Sequence, residues 1–133
     1  MRITHEADYA LRIVYVLAKN NKQMSAKLIS EEAGITQRIA LKILRRLGEC
    51  NIVCATKGAA GGYSLCKSTD ELSIGEIIET IDGPLNLNHC LSPEFVCTRV
   101  ECKSDCPFHT FICETSLELR RRFYSAKISN FIK

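Results

Sequence analysis

The chain has 133 residues, enough for one compact domain with an appendage and too few for two large cores. With 46% hydrophobic and 25% charged residues it is neither disordered nor fibrous, and no apolar run approaches the ~18 residues of a spanning helix. The formal charge of +3 is unevenly spread: residues 1–66 hold ten Lys or Arg against five Asp or Glu, whereas residues 67–133 hold eight against ten. The basic half is therefore the half to test for nucleic acid.

The start, Met1-Arg2-Ile3-Thr4-His5-Glu6, lacks the apolar core of an export signal, so a cytoplasmic protein without membrane attachment is expected. Ala7, Ala10, Leu11, Val14, Leu17 and Ala18 then form one apolar stripe at helical spacing, with Thr4 as N-cap. Ser25 caps a second, short helix whose inner face is Leu28, Ile29 and Ala33, and Gly34 stops it. Thr36 caps a third, with Ile39, Ala40, Ile43, Leu44 and Leu47 inward. A short helix, a glycine turn and a capped helix make a helix-turn-helix.

After Gly48 the period changes. Two extended segments, 51–56 and 62–66, flank Lys57-Gly58-Ala59-Ala60-Gly61, and Gly58, Gly61 and Gly62 permit a tight hairpin, the wing of a winged helix. Leu72–Ile81 reads as a fourth helix, capped by Ser73 and ended by Asp82-Gly83-Pro84. Residues 85–105 have no period and read as a long loop. From Pro107 a final helix carries Phe108, Ile112, Thr115, Leu119, Phe123 and Ala126 in a narrow stripe beside Arg120, Arg121 and Arg122. Such a seam on a helix beyond the domain predicts a partner helix, most simply a second copy in a homodimer. The expected fold is mainly α with a small β-hairpin, divided into a winged helix-turn-helix (1–84), a cysteine-rich loop (85–106), and a dimerisation helix with its tail (107–133).

The third helix offers Gln37, Arg38, Lys42 and Arg45 on the side opposite its apolar face. Gln37 and Arg38 lie in the first turn, where a recognition helix meets base edges, while Lys42 and Arg45 suit phosphates. Arg38 can present a bidentate fork to guanine and Gln37 an amide pair to adenine. Lys57 at the hairpin tip suits the adjacent backbone or minor groove, with glycine amides donating to phosphates. Tyr63 is expected to pack on the wing. The expected DNA-contacting set is Thr36, Gln37, Arg38, Lys42, Arg45, Lys57 and Gly61, and the expected partner is a double-stranded operator. No phosphate-binding strand-loop-helix or nucleophile with an orienting group is evident, so neither an enzyme nor a small-molecule substrate is expected.

Met1-Arg2-Ile3-Thr4 with Tyr9-Ala10-Leu11-Arg12, Ile35-Thr36, Lys57-Gly58-Ala59-Ala60-Gly61-Gly62-Tyr63-Ser64-Leu65, and Leu72-Ser73-Ile74-Gly75-Glu76-Ile77 with Asp82-Gly83-Pro84-Leu85 resemble the bacterial winged-helix regulators that include IscR, NsrR and CymR, the Rrf-type transcriptional regulators. The resemblance covers nearly the whole chain. It implies a homodimer with a long C-terminal dimerisation helix and, in many members, a three-cysteine loop holding an iron-sulfur cluster. Two positions depart from the family: Lys57 stands where Arg is usual before the wing glycine, and Leu41 stands where IscR-like members have an operator-selecting Glu. The operator is therefore expected to differ from theirs.

Eight cysteines without an export signal point to metal binding or redox sensing rather than a disulfide framework, and five of them (Cys90, Cys97, Cys102, Cys106, Cys113) fall within 24 residues. By the resemblance, Cys90, Cys97 and Cys106 are the ligands of a cluster of either the 2Fe-2S or the 4Fe-4S type. Cys102, His109 or a partner's Asp8 would supply the fourth, and Cys102 could also replace Cys106. The signal could then be redox state, iron supply or nitric oxide. Two alternatives stand beside this: a cluster-free thiol switch of the CymR type, and a zinc-stabilised interaction module built on Cys90, Cys97, Cys102 and Cys106. His89 is expected to be a plain loop residue, and Cys50, Cys54, Cys66 and Cys113 to be small buried hydrophobes.

Overall fold

The computed structural model describes residues 2–133. Helices α1 (His5–Asn20), α2 (Ala26–Ala33) and α3 (Gln37–Glu49) are followed by the antiparallel strands β1 (Val53–Thr56) and β2 (Gly62–Leu65), then by α4 (Ile74–Asp82) and α5 (Pro107–Ser125). Short 3-10 turns cover His89–Leu91, Lys103–Asp105 and Ile128–Phe131. The fold is mainly helical with one hairpin, as the sequence predicts.

Each predicted cap forms. Thr4 accepts from the Ala7 N–H at 3.2 Å, Ser25 from Leu28 at 3.2 Å, Thr36 from Ile39 at 3.3 Å and Ser73 from Glu76 at 3.1 Å. A cap of this kind is worth about 1 kcal/mol, because it satisfies an N–H that the helix itself leaves free. Gly34 ends α2 with φ of 69°, a left-handed conformation that costs a residue with Cβ more than glycine. The turn between α2 and α3 is thereby short, and the two helices of the helix-turn-helix are locked by local chemistry.

α1 is the centre of the core and packs against α2, α3 and α4. Ala7, Ala10, Ile13, Val14, Ile29, Ala40, Ile43, Leu47, Ile52, Leu72 and Ile77 are completely buried. Arg46 joins α3 to the end of α4 by donating to the carbonyls of Thr80 (3.2 Å) and Ile81 (2.7 Å), where free carbonyls and the helix dipole favour a cation.

The hairpin pairs Val53 with Leu65, Cys54 with Ser64, Ala55 with Tyr63 and Thr56 with Gly62. Its inward face is fixed by Tyr63, which packs on the core and exchanges backbone hydrogen bonds with Met24 (2.9 and 2.7 Å). Gly61 is demanded by the turn: a Cβ there would meet the Thr56 carbonyl oxygen at 2.2 Å.

The structure corrects four expectations. Leu28 is half exposed rather than inward, and Ser30 takes the buried place, its hydroxyl satisfied by the Lys27 carbonyl at 2.7 Å. Cys54 and Cys66 are not buried hydrophobes but form a disulfide on the outward face of the hairpin. Cys50 is exposed and Cys113 only half buried. Ala126 lies beyond the helical seam, because α5 ends at Ser125 and the chain turns back. The Ile74 N–H donates to the Ala126 carbonyl and the Ile128 N–H to the Leu72 carbonyl, both at 2.9 Å, so the tail stitches Ile128 into the core of the first domain.

α5 otherwise touches the domain along one edge. Gly75 permits this, since a Cβ would lie 2.4 Å from the Tyr124 ring. Glu79 accepts from Arg120 at 2.7 and 3.0 Å, from the Tyr124 hydroxyl, and from the Leu85 N–H at 3.2 Å. The Ser116 hydroxyl donates to the Leu85 carbonyl at 2.9 Å. Elsewhere α5 leaves Phe108 and Phe111 about 70% exposed.

Candidate nucleic-acid interface and cysteine loop

Thr36, Gln37 and Arg38 stand at the exposed start of α3, and the Thr36 hydroxyl is spent on the cap. Arg38 makes no ion pair among the described residues. Lys42 is different: its Nζ lies 2.6 Å from Glu6, whose second oxygen is 3.4 Å from Arg46. The hydrogen bond and charge of Lys42 hold the Glu6 carboxyl below the usual carboxylate range. Arg45 reaches Glu49 at 3.4 Å but stays largely exposed, a pair too solvated to hold it. Lys57 is exposed on the wing, next to Gly58 at φ of 107° and a turn closed by Gly61 N–H to Gly58 O at 2.9 Å. Of the predicted cations, Arg38, Arg45 and Lys57 are thus available to a ligand at once. Lys42 must first give up Glu6. Sequence spacing could not reveal that partner, which sits on α1.

The loop 85–106 is anchored at its start by buried Leu85 and crossed by Lys103, whose Nζ donates to the Ser92 carbonyl at 2.7 Å and lies 5.7 Å from the centre of the Phe95 ring. Cys106 is the N-cap of α5 and its sulfur accepts from the His109 N–H at 3.4 Å; Arg99 approaches the same sulfur at 2.8 Å. The His109 N–H, helped by Arg99, pulls the Cys106 thiol below its ordinary range. Backbone N–H groups of Arg99 and Val100 do the same for Cys97. Both side chains are biased toward thiolate, the form that binds metal and attacks disulfides.

Cys90, Cys97, Cys106 and His109 line one cavity of about 250 Å³, walled on its apolar side by Phe95, Phe108 and Ile112. Cys102 is outside it: exposed, with its sulfur 2.8 Å from the Ser104 hydroxyl. Asp8 pairs with Arg12 on its own helix at 2.8 Å. His89, in the 3-10 turn before Cys90, is absent from the cavity wall. The cavity donors ring a space rather than a point, and among the described residues no three His, Cys, Asp or Glu side chains converge closely enough to hold a single metal ion. No helix among them is long and apolar enough to cross a membrane.

A family model described as Rrf2, iron-dependent transcriptional regulator, matches residues 3–133. The chain belongs to the Rrf2 family. Its members are transcriptional regulators, not enzymes, and the curated relatives agree: the HTH-type transcriptional regulator NsrR of Bacillus licheniformis is 30% identical over 71% of this chain and 67% of its own length. NsrR of Bacillus subtilis is 28% identical over 68% of this chain and 63% of its own. The chain thus aligns with about two thirds of the length of these Rrf2 relatives. Among solved structures the fold matches CymR, the global cysteine regulator of B. subtilis, with TM-score 0.78 at 22% identity over 98% of this chain and 95% of the other. It also matches T. potens IscR, with TM-score 0.73 at 17% identity over 98% and 85%.

Proposed function

We propose that this Rrf2 chain is a homodimeric operator-binding regulator whose α3 enters the major groove, and whose affinity for DNA is set by an iron-sulfur cluster held by Cys90, Cys97 and Cys106, with His109 as fourth donor. The carrying observation is the shared cavity: three cysteines and a histidine, separated by up to 19 residues, line one space at the foot of α5. The four protein ligands of a cluster would be shared among its two or four irons, so the donors need not meet at a point, whereas zinc needs four within about 2.3 Å of one centre. Bound there, a cluster would supply a redox- and ligand-sensitive hold on the loop. The family description as iron-dependent agrees with this.

The chain's own residues supply the coupling. Cys106 is at once a donor to the cavity and the N-cap of α5, so engaging its sulfur changes the acceptor that the first turn of α5 relies on. Glu79 and Ser116 then tie α5 to α4 and to Leu85. The exposed Phe108, Phe111 and Leu117 offer a second copy its apolar contact. Because a dimer must meet two half-sites together, a modest change at α5 costs specific binding.

A second reading, a thiol switch without metal, is favoured by Arg99 beside Cys106 and by the bias of both Cys97 and Cys106 toward thiolate. Anaerobic purification with iron and sulfide analysis separates the two. A colourless, iron-free protein that binds DNA normally until Cys97 and Cys106 are oxidised would establish the second reading.

Two substitutions test the DNA contact on a duplex selected by this protein from a random pool. Arg38→Ala is expected to weaken that duplex by about ten- to a hundredfold, the worth of one bidentate base contact, while changing non-specific binding little. An equal loss on every sequence would instead make Arg38 a phosphate contact. Glu6→Gln releases Lys42, so non-specific affinity should rise and the log–log salt slope steepen by about 0.9. An unaltered slope would mean that Lys42 does not face the backbone.

A further inference from the structure

We infer that Cys54 and Cys66 form a second, independent thiol-disulfide site on the wing, exchanging with small-molecule disulfides and peroxides and setting how rigidly the wing tip is held. The register carries the argument. Cys54 stands opposite Ser64 and the Cys66 N–H donates to the Ile52 carbonyl at 2.9 Å, so the two sulfurs are diagonal neighbours across the hairpin. The Cα atoms are 5.5 Å apart, in the ordinary range for a disulfide. Side chains alternate along a strand, so Val53 and Tyr63 turn toward the body of the domain while Cys54, Ser64 and Cys66 turn outward. Both cysteines are exposed. A bond placed there adds nothing to the core, and solvent-facing disulfides are the ones that exogenous thiols reach.

The bond joins residues 12 positions apart, across a hairpin whose tip is Lys57-Gly58-Ala59-Ala60-Gly61. A two-stranded hairpin alone is marginal, and this one has four ladder pairs and the Tyr63 contact to hold it. With the bridge closed, Lys57 is presented with less freedom to lose on binding; with it open, that ordering must occur at the DNA. The chemistry balances with a peroxide as oxidant. One thiolate attacks the peroxide and breaks its O–O bond, releasing an alcohol or water and leaving a sulfenic acid. The second thiol displaces water from that sulfur to form the S–S bond. Reduction by two thiols returns both Cys54 and Cys66 and yields one small-molecule disulfide.

The effect on DNA rests on the operator-binding reading, but the exchange itself does not. Full-length protein is equilibrated anaerobically with reduced or oxidised glutathione, acid-quenched, alkylated and digested for mass spectrometry without DNA. Residues 54 and 66 should be joined under oxidised glutathione and both alkylated under reduced glutathione. The selected duplex should bind about three- to tenfold more weakly in the second state. The double variant C54S/C66S should bind like the reduced form in both buffers, with unchanged helicity, while the alkylation pattern of Cys90, Cys97 and Cys106 follows the parent's. The inference is overturned if the pair stays alkylated under oxidised glutathione, if the bond resists reduced glutathione in the folded protein, or if the double variant keeps the parent's full response to oxidant. Failure to bind any duplex while residues 54 and 66 still exchange would overturn the operator reading and leave the wing pair standing.

Discussion

Replacing Cys106 by Ser is expected to remove iron from the protein without loosening its fold. The two duties of Cys106 separate cleanly under this change, because serine is a better N-cap than cysteine and its oxygen can accept the His109 N–H that now points at sulfur. The first turn of α5 should therefore persist, and thermal stability should stay level or rise slightly. The oxygen does not replace the thiolate. A serine hydroxyl ionises too weakly at neutral pH to serve as a ligand, whereas the Cys106 thiol is drawn toward its anion by the His109 N–H and by Arg99. Loss of a direct ligand should exceed the roughly 10- to 100-fold cost of losing an outer partner of a metal site. Iron and acid-labile sulfide in anaerobically purified Cys106→Ser should thus fall to a small fraction of the parent's content. Full loading would remove Cys106 from the ligand set and turn attention to Cys102, nearby in sequence but turned away from the cavity.

Glu79→Ala should be the most destabilising of the surface-accessible changes. One carboxylate collects four donor contacts, from Arg120 twice, the Tyr124 hydroxyl and the Leu85 N–H, and its side chain is only 15% exposed. Arg120, whose guanidinium also lies 4.5 Å from the centre of the Tyr124 ring, is foremost in drawing the Glu79 carboxyl down to about 2. A shift of that size corresponds to about 3 kcal/mol if unscreened, and about 2 kcal/mol once the half-exposed Arg120 is allowed for. The sign follows from linkage: the folded-state value is depressed, so the contribution is complete above the unfolded carboxylate range. It disappears as the pH falls from about 4.5 toward 2. Denaturant unfolding should show parent and Glu79→Ala differing by about 2 kcal/mol at pH 7 and converging near pH 2. A difference that persists undiminished in acid would assign the effect to packing rather than to charge. The same variant removes one tie between α5 and α4 while the Ser116 contact stays, so operator affinity should depend less on the state of the cysteine loop.

Much of the fold is legible locally. The four caps, the Gly34 stop, the apolar stripes of α1 and α3 and the glycine hairpin are each written within a few residues, and each reappears in the structure. Leu28 misleads because a period of 3.6 residues on an eight-residue helix leaves its angular position loosely defined, and the small Ser30 can satisfy its own hydroxyl inside. The wing disulfide had a readable signal. A hairpin pairing Ala55 with Tyr63 puts all even-numbered strand positions on one face, and residues 54 and 66 are both even. Treating each cysteine singly as a small hydrophobe passes over that parity.

What sequence alone determined is the helix-turn-helix, the hairpin after it and the presence of a cysteine-rich loop, because caps, turns and helical stripes are interactions between residues three or four apart. Tertiary structure decided the rest: that Lys42 is held by Glu6, 36 positions away, and that Glu79 takes Arg120 across 41. It also decided that the tail returns to bury Ile128, and that His109 rather than Cys102 shares a cavity with three thiols. Such partners meet only after the chain has reversed direction several times. No spacing along it encodes where those reversals bring two side chains together.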